Sequence, residues 1–185
     1  MIFDLIKKRR SIFPAQYNDT PIAKETILKV LEAANWAPTH KKTEPWRFKV
    51  LQGETKEKLG LFLSLKYLEN DSSPKEFKAR KLIENPKMAG AIIVICMQRD
   101  LKESLPEWEE IAAVSMAVQN MWLCCTELGI GAYWSSPGLI KFMDEFFEMN
   151  EGEVCLGFFY MGYYNSDTEI PEVTRTPISD KTVWL

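Results

Sequence analysis

Three short stretches of the chain carry side chains able to do chemistry together. The first is "RRS", where Arg9, Arg10 and Ser11 put two guanidiniums and a hydroxyl at a boundary between helix and loop. Such a grouping can hold a phosphate through charge-assisted hydrogen bonds, or it can be the solvated basic end of a helix. The second is "APTHKKTEPWRF", Ala37 to Phe48, which sets the only histidine, His40, beside Lys41 and Lys42 and between two prolines. An imidazole there can stay neutral and donate one hydrogen bond to a ligand, or simply order its loop. The third is "YWSSPG", in which Trp134 precedes Ser135 and Ser136. An indole beside two hydroxyls can pack along a planar ring system, although tryptophan at a strand end is often plain core.

Other chemistries lack their residues. There is no G-x-S-x-G elbow and no G-x-x-x-x-G-K-[ST] loop, and "GIGAYW" holds only the first two glycines of a dinucleotide fingerprint. A serine or cysteine nucleophile would need His40 as its base, and no acid near it in sequence would orient the ring. Cys96, Cys124, Cys125 and Cys155 make no CxxC pair or ladder of metal spacing. They read as buried, reduced thiols, and no metal is expected. A formal charge of -3 and a pI near 5.4 give no electrostatic footprint for nucleic acid. "AGAIIVICM" is too short to cross a bilayer, and "MIFDLIKKRR" runs apolar first and basic second, the reverse of an export signal. The expectation is a cytoplasmic protein with neither membrane nor nucleic acid as partner.

The elements that must position these stretches follow from periodicity. At 185 residues, 46% hydrophobic and 26% charged, the chain suits one globular domain over residues 1–185. An opening helix is expected over residues 2–10, with its basic run at the C-terminal end. Thr20 and Pro21 look like an N-cap and first residue of a second helix, carried by Ile27, Val30, Leu31 and Ala34 and ending near Trp36. "WRFKVL" alternates as a strand, and residues 54–85 read as two helices broken around "ENDSSP". "AGAIIVICM" reads as a central strand and Pro106 to Gly129 as a long helix with a broad apolar face. "IGAYWS" and "VCLGFFYMGY" are two more strands around a short helix at residues 140–147. The first strand follows two helices, which favours α+β over a doubly wound sheet.

Taken in order, these pieces resemble the nitroreductase superfamily of FMN-dependent oxidoreductases. The resemblance rests on "RRSI", on "APTHKKTEPWRF" in place of the family's A-P-[ST]-x-x-N-x-Q-P-W-x-F, on "PEWEEIAA", on "GIGAYWSSPG" and on "GFFYMGY". The short length, the histidine and lysines after "APT", and "P-x-W-E" are similar to the small YdjA-like branch. The resemblance implies an α+β fold with a central mixed or antiparallel sheet flanked by helices, in an intertwined homodimer with FMN at the subunit interface. By matching positions, Arg9, Arg10 and Ser11 fall on the cofactor phosphate and ribityl chain, and Arg175 on the same phosphate. Trp134, Ser135 and Ser136 fall along the isoalloxazine. Trp36, His40 and Lys42 fall near the flavin, reached from the partner chain.

The implied activity is NAD(P)H oxidoreduction by a ping-pong mechanism, with NADH or NADPH as donor and a small electron-poor acceptor such as a nitroaromatic or quinone. No side chain is required as a catalytic acid or base. A reductase of activated alkenes or of dehalogenation substrates on the same fold, and a flavin-binding protein without turnover, are the alternatives. Lys42 and Glu44 stand where most members keep Asn and Gln. Either Lys41 or Lys42 neutralises the reduced flavin near its N1/O2 edge, or Lys42 pairs with Glu44 or faces solvent. Residues 66–88 are a candidate lid.

Overall fold

The computed structural model describes residues 1–170 and 172–185. Four strands, β1 (Trp46–Leu51), β2 (Ala91–Gln98), β3 (Ile130–Ser135) and β4 (Glu153–Tyr163), form one sheet in the order β1-β2-β4-β3. Every pairing between these strands is antiparallel, so the sheet is antiparallel rather than mixed. The helices are α1 (Ile2–Lys8), α2 (Lys24–Asn35), α3 (Glu54–Asn70), α4 (Glu76–Met88) and α5 (Glu107–Glu127). The fold is α+β.

β2 is apolar at nearly every position because both of its faces are covered. Ile93, Ile95 and Met97 point with Phe159 and Met161 toward Val30 and Ala34 of α2 and Val114, Val118 and Met121 of α5. Ile92, Val94 and Cys96 point the other way with Phe158 and Tyr160, toward Leu59 and Leu63 of α3 and Met143. Each large apolar side chain buried this way contributes about 1.5–3 kcal/mol of transfer free energy. The sheet is therefore the fixed centre from which the loops carrying the site are hung.

Several boundaries differ from the pattern-based expectation, each for a local reason. α2 begins at Lys24 with Ala23 as its N-cap, not at Thr20 and Pro21. The Thr20 N–H is taken by Asn18 Oδ1 at 3.0 Å, an Asx turn, Ile22 seats a buried side chain, and Ala23 is extended at ψ 148°. Gln52 Nε2 holds that extension by donating to Ile22 O at 2.9 Å. α1 stops at Lys8 because Arg9 turns to an extended ψ of 127°. α4 runs on to Met88 with Pro86 inside its last turn. The short helix after β3 is a 3-10 segment, Gly138–Glu145.

The four cysteines lie in strands and helices, but two are neighbours that spacing could not reveal. Cys96 and Cys155 are register partners across β2 and β4 at a bulge. Their thiols interact, which, with burial, pushes Cys96 up while Cys155 is held below its ordinary value. The start of α5 is fixed by Glu110, which is 1% exposed. It accepts from the Arg99 guanidinium and from the Asp100 N–H at 2.9 Å. Arg99 also donates to Leu105 O at 2.8 Å.

The bulge in β4 shapes the neighbouring end of β3. Gly157 has φ 147°, a region open to glycine and strained for other residues. The Trp134 indole lies across it, with Nε1 donating to Leu156 O at 3.2 Å. A Cβ on Gly157 would overlap Trp134 Nε1 and lie 2.6 Å from Ser135 O. Gly157→Ala is therefore expected to destabilise the fold by roughly 2–4 kcal/mol in urea unfolding. Gly138→Ala, whose added methyl meets nothing within 4 Å, is expected to change it by less than about 0.5 kcal/mol.

Candidate functional site

Arg9, Arg10, Ser11 and Arg175 line one cleft of about 710 Å³, together with Gln119 and Trp122 of α5. Two distant parts of the sequence thus bring cations to one place. The segment after α1 is docked onto β3 by a parallel bridge between Ser11 and Ala132. The Ile12 N–H donates to Ala132 O at 3.1 Å, and Tyr17 Oη donates to Ile12 O at 2.7 Å. Ile12 can approach so closely only because Gly131 has no side chain, since a Cβ there would lie 2.8 Å from Ile12 Cβ. The glycine that looked like part of a dinucleotide fingerprint is a packing position.

Within the cleft the guanidiniums have different tasks. Arg10 Nη1 donates to Lys7 O at 2.5 Å and to Arg9 O at 2.9 Å, closing the C-terminal end of α1. Arg9 lies over the Trp122 ring at 4.6 Å, and Trp122 Nε1 donates to Arg10 O at 3.1 Å. Burial, with Arg175 and Arg10 close by, holds the Arg9 guanidinium below its ordinary value. None of the three arginines forms an ion pair with a carboxylate among the described residues. Like charges gathered without a counter-charge make a site that gains from an anion, and a phosphate monoester matches the fork geometry of arginine.

β3 leads away from this cleft. Ser135 lies three residues beyond Ala132, about 10 Å along the strand at ~3.3 Å per residue. Trp134, Ser135 and Ser136 follow one another there, partly buried at the strand's end and exposed at Ser136. Phe13 and Tyr133 pack at 4.9 Å between centroids alongside. Just past Ser136 a second cleft opens, about 490 Å³, between Pro137 and Leu139 on one side and Tyr67 and Leu82 on the other. Residues 66–88, the candidate lid, supply the end of α3 and all of α4 and form the far wall of this cleft.

Trp36, His40 and Lys42 stand apart from both clefts within the chain. Trp36 is 79% exposed, with Nε1 donating to Glu32 Oε1 at 2.9 Å. His40 Nδ1 meets Glu109 Oε2 at 2.6 Å, and Lys41 Nζ donates to Ser104 O at 2.7 Å. These contacts stitch the loop to the start of α5. Lys42 forms no ion pair with Glu44 or any other carboxylate among the described residues. The backbone has positive φ at Lys41 (49°), Lys42 (57°) and Glu44 (43°). Each such residue costs roughly 1 kcal/mol or more. Thr39 Oγ1 helps hold the loop by accepting from the Glu44 N–H at 3.2 Å.

Trp122, Gln119 and Glu109 are the residues that reasoning from sequence left out of the site. Trp122 was legible only as one more apolar residue of α5. The available signal was its spacing from Gln119, one turn away on the same helix face. Among the described residues, no three His, Cys, Asp or Glu side chains gather as a metal site. No helix is long and apolar enough to cross a membrane.

The family model for the nitroreductase family matches residues 6–163. YfhC of Bacillus subtilis (strain 168), named provisionally as an NAD(P)H nitroreductase, is 32% identical over 184 residues, covering 96% of this chain and 91% of YfhC. YdjA of Escherichia coli (strain K12), named in the same provisional way, is 30% identical over 141 residues, 75% of each chain. A solved nitroreductase-like family protein from Bacillus cereus superposes with a TM-score of 0.82 at 29% identity, covering 100% of this chain and 96% of that one. A protein of Desulfovibrio desulfuricans, provisionally assigned as a nitroreductase and solved in complex with FMN, shares the fold at a TM-score of 0.73 and 20% identity, covering 100% and 96%. The chain belongs to the nitroreductase family, a family of oxidoreductases.

The role of Trp122 in presenting Arg9 is open to measurement. Trp122→Leu should weaken binding of a phosphate monoester about two- to fivefold, the worth of ~0.5–1 kcal/mol of cation–π support. Trp122→Phe, which keeps a ring beneath the guanidinium, should recover part of the loss in the same fluorescence titration.

Proposed function

We propose that this chain is an FMN-dependent NAD(P)H oxidoreductase, one FMN-binding domain over residues 1–185 acting as a homodimer. The observation that carries the reading is the convergence of Arg9, Arg10, Ser11 and Arg175 on one cleft from which β3 leads directly to Trp134, Ser135 and Ser136. The chemistry of the donor set fits FMN. Arginines and a serine hydroxyl hold the phosphate, and the strand end offers an extended edge to a planar ring. In support, the relative from Desulfovibrio desulfuricans was solved with FMN, and YfhC and YdjA carry NAD(P)H in their names.

When bound, FMN supplies two-electron exchange between a reduced nicotinamide and an electron-poor acceptor. The side chains bind, orient and exclude water. Donor and acceptor use the same open cleft past Ser136 in turn, which is a ping-pong scheme. A nitro group that takes up two electrons and two protons leaves as a nitroso group and water, and quinones are taken up likewise. No side chain is needed as an acid or base, because solvent can deliver both protons.

The homodimer completes the site. α5 exposes Trp108, Ile111 and Met116, and α1 exposes Ile2, Phe3 and Ile6. Exposed apolar surface of this extent next to a ligand cleft favours a subunit interface. Trp36, His40 and Lys42 then reach the flavin of the partner chain. Lys42, with no carboxylate partner of its own, is the better placed of the two lysines to lie near the reduced ring, because Lys41 is committed to Ser104.

The test is the visible spectrum of the purified protein with FMN, followed under anaerobic conditions. Addition of NADH or NADPH should bleach the flavin bands, and a quinone or nitroaromatic should restore them. Bound flavin that neither nucleotide bleaches would contradict the oxidoreductase assignment, and absence of flavin binding would contradict the site.

A further inference from the structure

The cleft past Ser136 has a charge pattern that general flavin chemistry does not require. Lys78 and Lys81 of α4 stand three residues apart on one helix face and line its far wall, and Lys141 lines the wall opposite. The sole carboxylate in the lining is Asp71, whose Oδ1 accepts from the Ser73 N–H at 2.9 Å within its own turn. None of the three lysines makes an ion pair or donates a side-chain hydrogen bond among the described residues.

Neighbouring cations behave differently. Lys66, one turn before the end of α3, pairs with Glu145 at 2.6 Å and with Glu69 at 3.5 Å. Arg80, between the two α4 lysines but outside this lining, pairs with Glu84 at 3.5 Å. Lys66 and Arg80 beside the cleft are thus paired, while the three lysines that line it are not. This is a local excess of positive charge in a chain whose formal charge is -3. Between the lysines the walls are apolar, with Leu82 and Phe142, and Lys141 Nζ lies 4.8 Å from the Phe142 centroid. A cleft with Leu82 and Phe142 in its walls and unpaired ammonium groups at its rim suits an aromatic ring with a fixed negative charge at its edge.

We infer that, on the oxidoreductase reading above, this cleft selects aromatic acceptors carrying a carboxylate or similar anion, with Lys78, Lys81 and Lys141 as its specificity-determining residues. The ring packs against Leu82 and Phe142 and the anion meets the lysine rim. The same rim raises the local concentration of the anionic acceptor and disfavours one that would leave the lysines uncompensated. The selection is electrostatic, so it weakens with salt.

The experiment compares para-nitrobenzoate with para-nitrobenzamide, which share ring, nitro group and shape; they differ in charge, and the amide, being more electron-withdrawing, is intrinsically the easier to reduce, so a preference for the benzoate reports binding. With the FMN-loaded enzyme, kcat/KM for the benzoate should exceed that for the benzamide about tenfold at low salt, the sum of a few exposed charge contacts. The ratio should fall toward one in 0.5 M salt and in the Lys78→Gln, Lys81→Gln double variant. Lys141→Gln, on the opposite wall, provides an independent second variant. A wild-type ratio near one, or a ratio that the variants leave unchanged, overturns the inference. So does a variant whose only effect is a raised KM for NADH or NADPH, because the rim would then serve the dinucleotide. Reduction of a quinone but of neither nitro compound also overturns it while leaving the oxidoreductase reading intact. Calorimetry of benzoate against benzamide on the same protein reads the selection without turnover. Preference for benzoate that is lost in the double variant supports the rim even if no flavin is reduced, and equal affinities overturn it.

Discussion

The docking of Ser11, Ile12 and Phe13 along β3 is the constraint on which the site depends. One backbone hydrogen bond, Ile12 N–H to Ala132 O at 3.1 Å, and the close seat of Ile12 on Gly131 fix where the chain leaves α1. From that fixed point Arg9 and Arg10 turn into one cleft, and Phe13 packs on Tyr133 of β3. Tyr17 locks the arrangement through its hydroxyl, which donates to Ile12 O at 2.7 Å and lies 3.3 Å from Tyr160 O. A shift of this segment would move the cations relative to β3 and separate the two clefts that a phosphate-bearing ring system would have to span.

Charge is distributed with the same economy. The ion pairs that anchor elements are buried and specific, as with Glu110 and Arg99 at the start of α5 and Glu153 with Lys49 beside β4. Burial alone would raise the Glu153 carboxyl, but the Lys49 ammonium and the Asn150 N–H hold it below its ordinary value. By contrast, Arg9, Arg175 and the lysines of the second cleft form no ion pair with a carboxylate among the described residues. Cations gathered without a counter-charge gain from an anionic ligand, most of all where they are partly buried, as Arg9 is. The strained loop around Lys41 and Lys42 is held by the contacts of His40 with Glu109 and of Lys41 with Ser104 O, while Lys42 itself forms no ion pair among the described residues.

How much of this could be read from the chain depends on the range of the interaction. The strands Trp46–Leu51 and Ala91–Gln98 and the long helix Glu107–Glu127 follow from local periodicity and were legible to within a residue or two. The onset of α2 was not, because it is set by seating Ile22 in the core and by the Asn18 turn, contacts that no helical cap signal reports. The motifs "RRS" and "YWSSPG" were legible as candidate ligand contacts, and Arg175 through its matched position. Their spatial relation was not, since it comes from a bridge between Ser11 and Ala132, residues far apart in the sequence. Trp122 and the pairing of His40 with Glu109 were invisible for the same reason, being long-range contacts of residues whose local pattern reads as helix surface or loop. Trp36, His40 and Lys42 share a loop and an exposed face, and a single chain does not bring them to the cationic cleft.

On the proposed function, the arginine cleft holds a phosphate ester whose ring lies along the end of β3. Titration of the flavin-free protein with FMN and with riboflavin, which has the same ring and lacks the phosphate, tests it most directly. FMN should bind at least about tenfold more tightly at low salt, as expected for even one charge-assisted hydrogen bond to phosphate, and the difference should shrink as salt rises. Equal affinities for the two flavins, or a difference indifferent to salt, would contradict it.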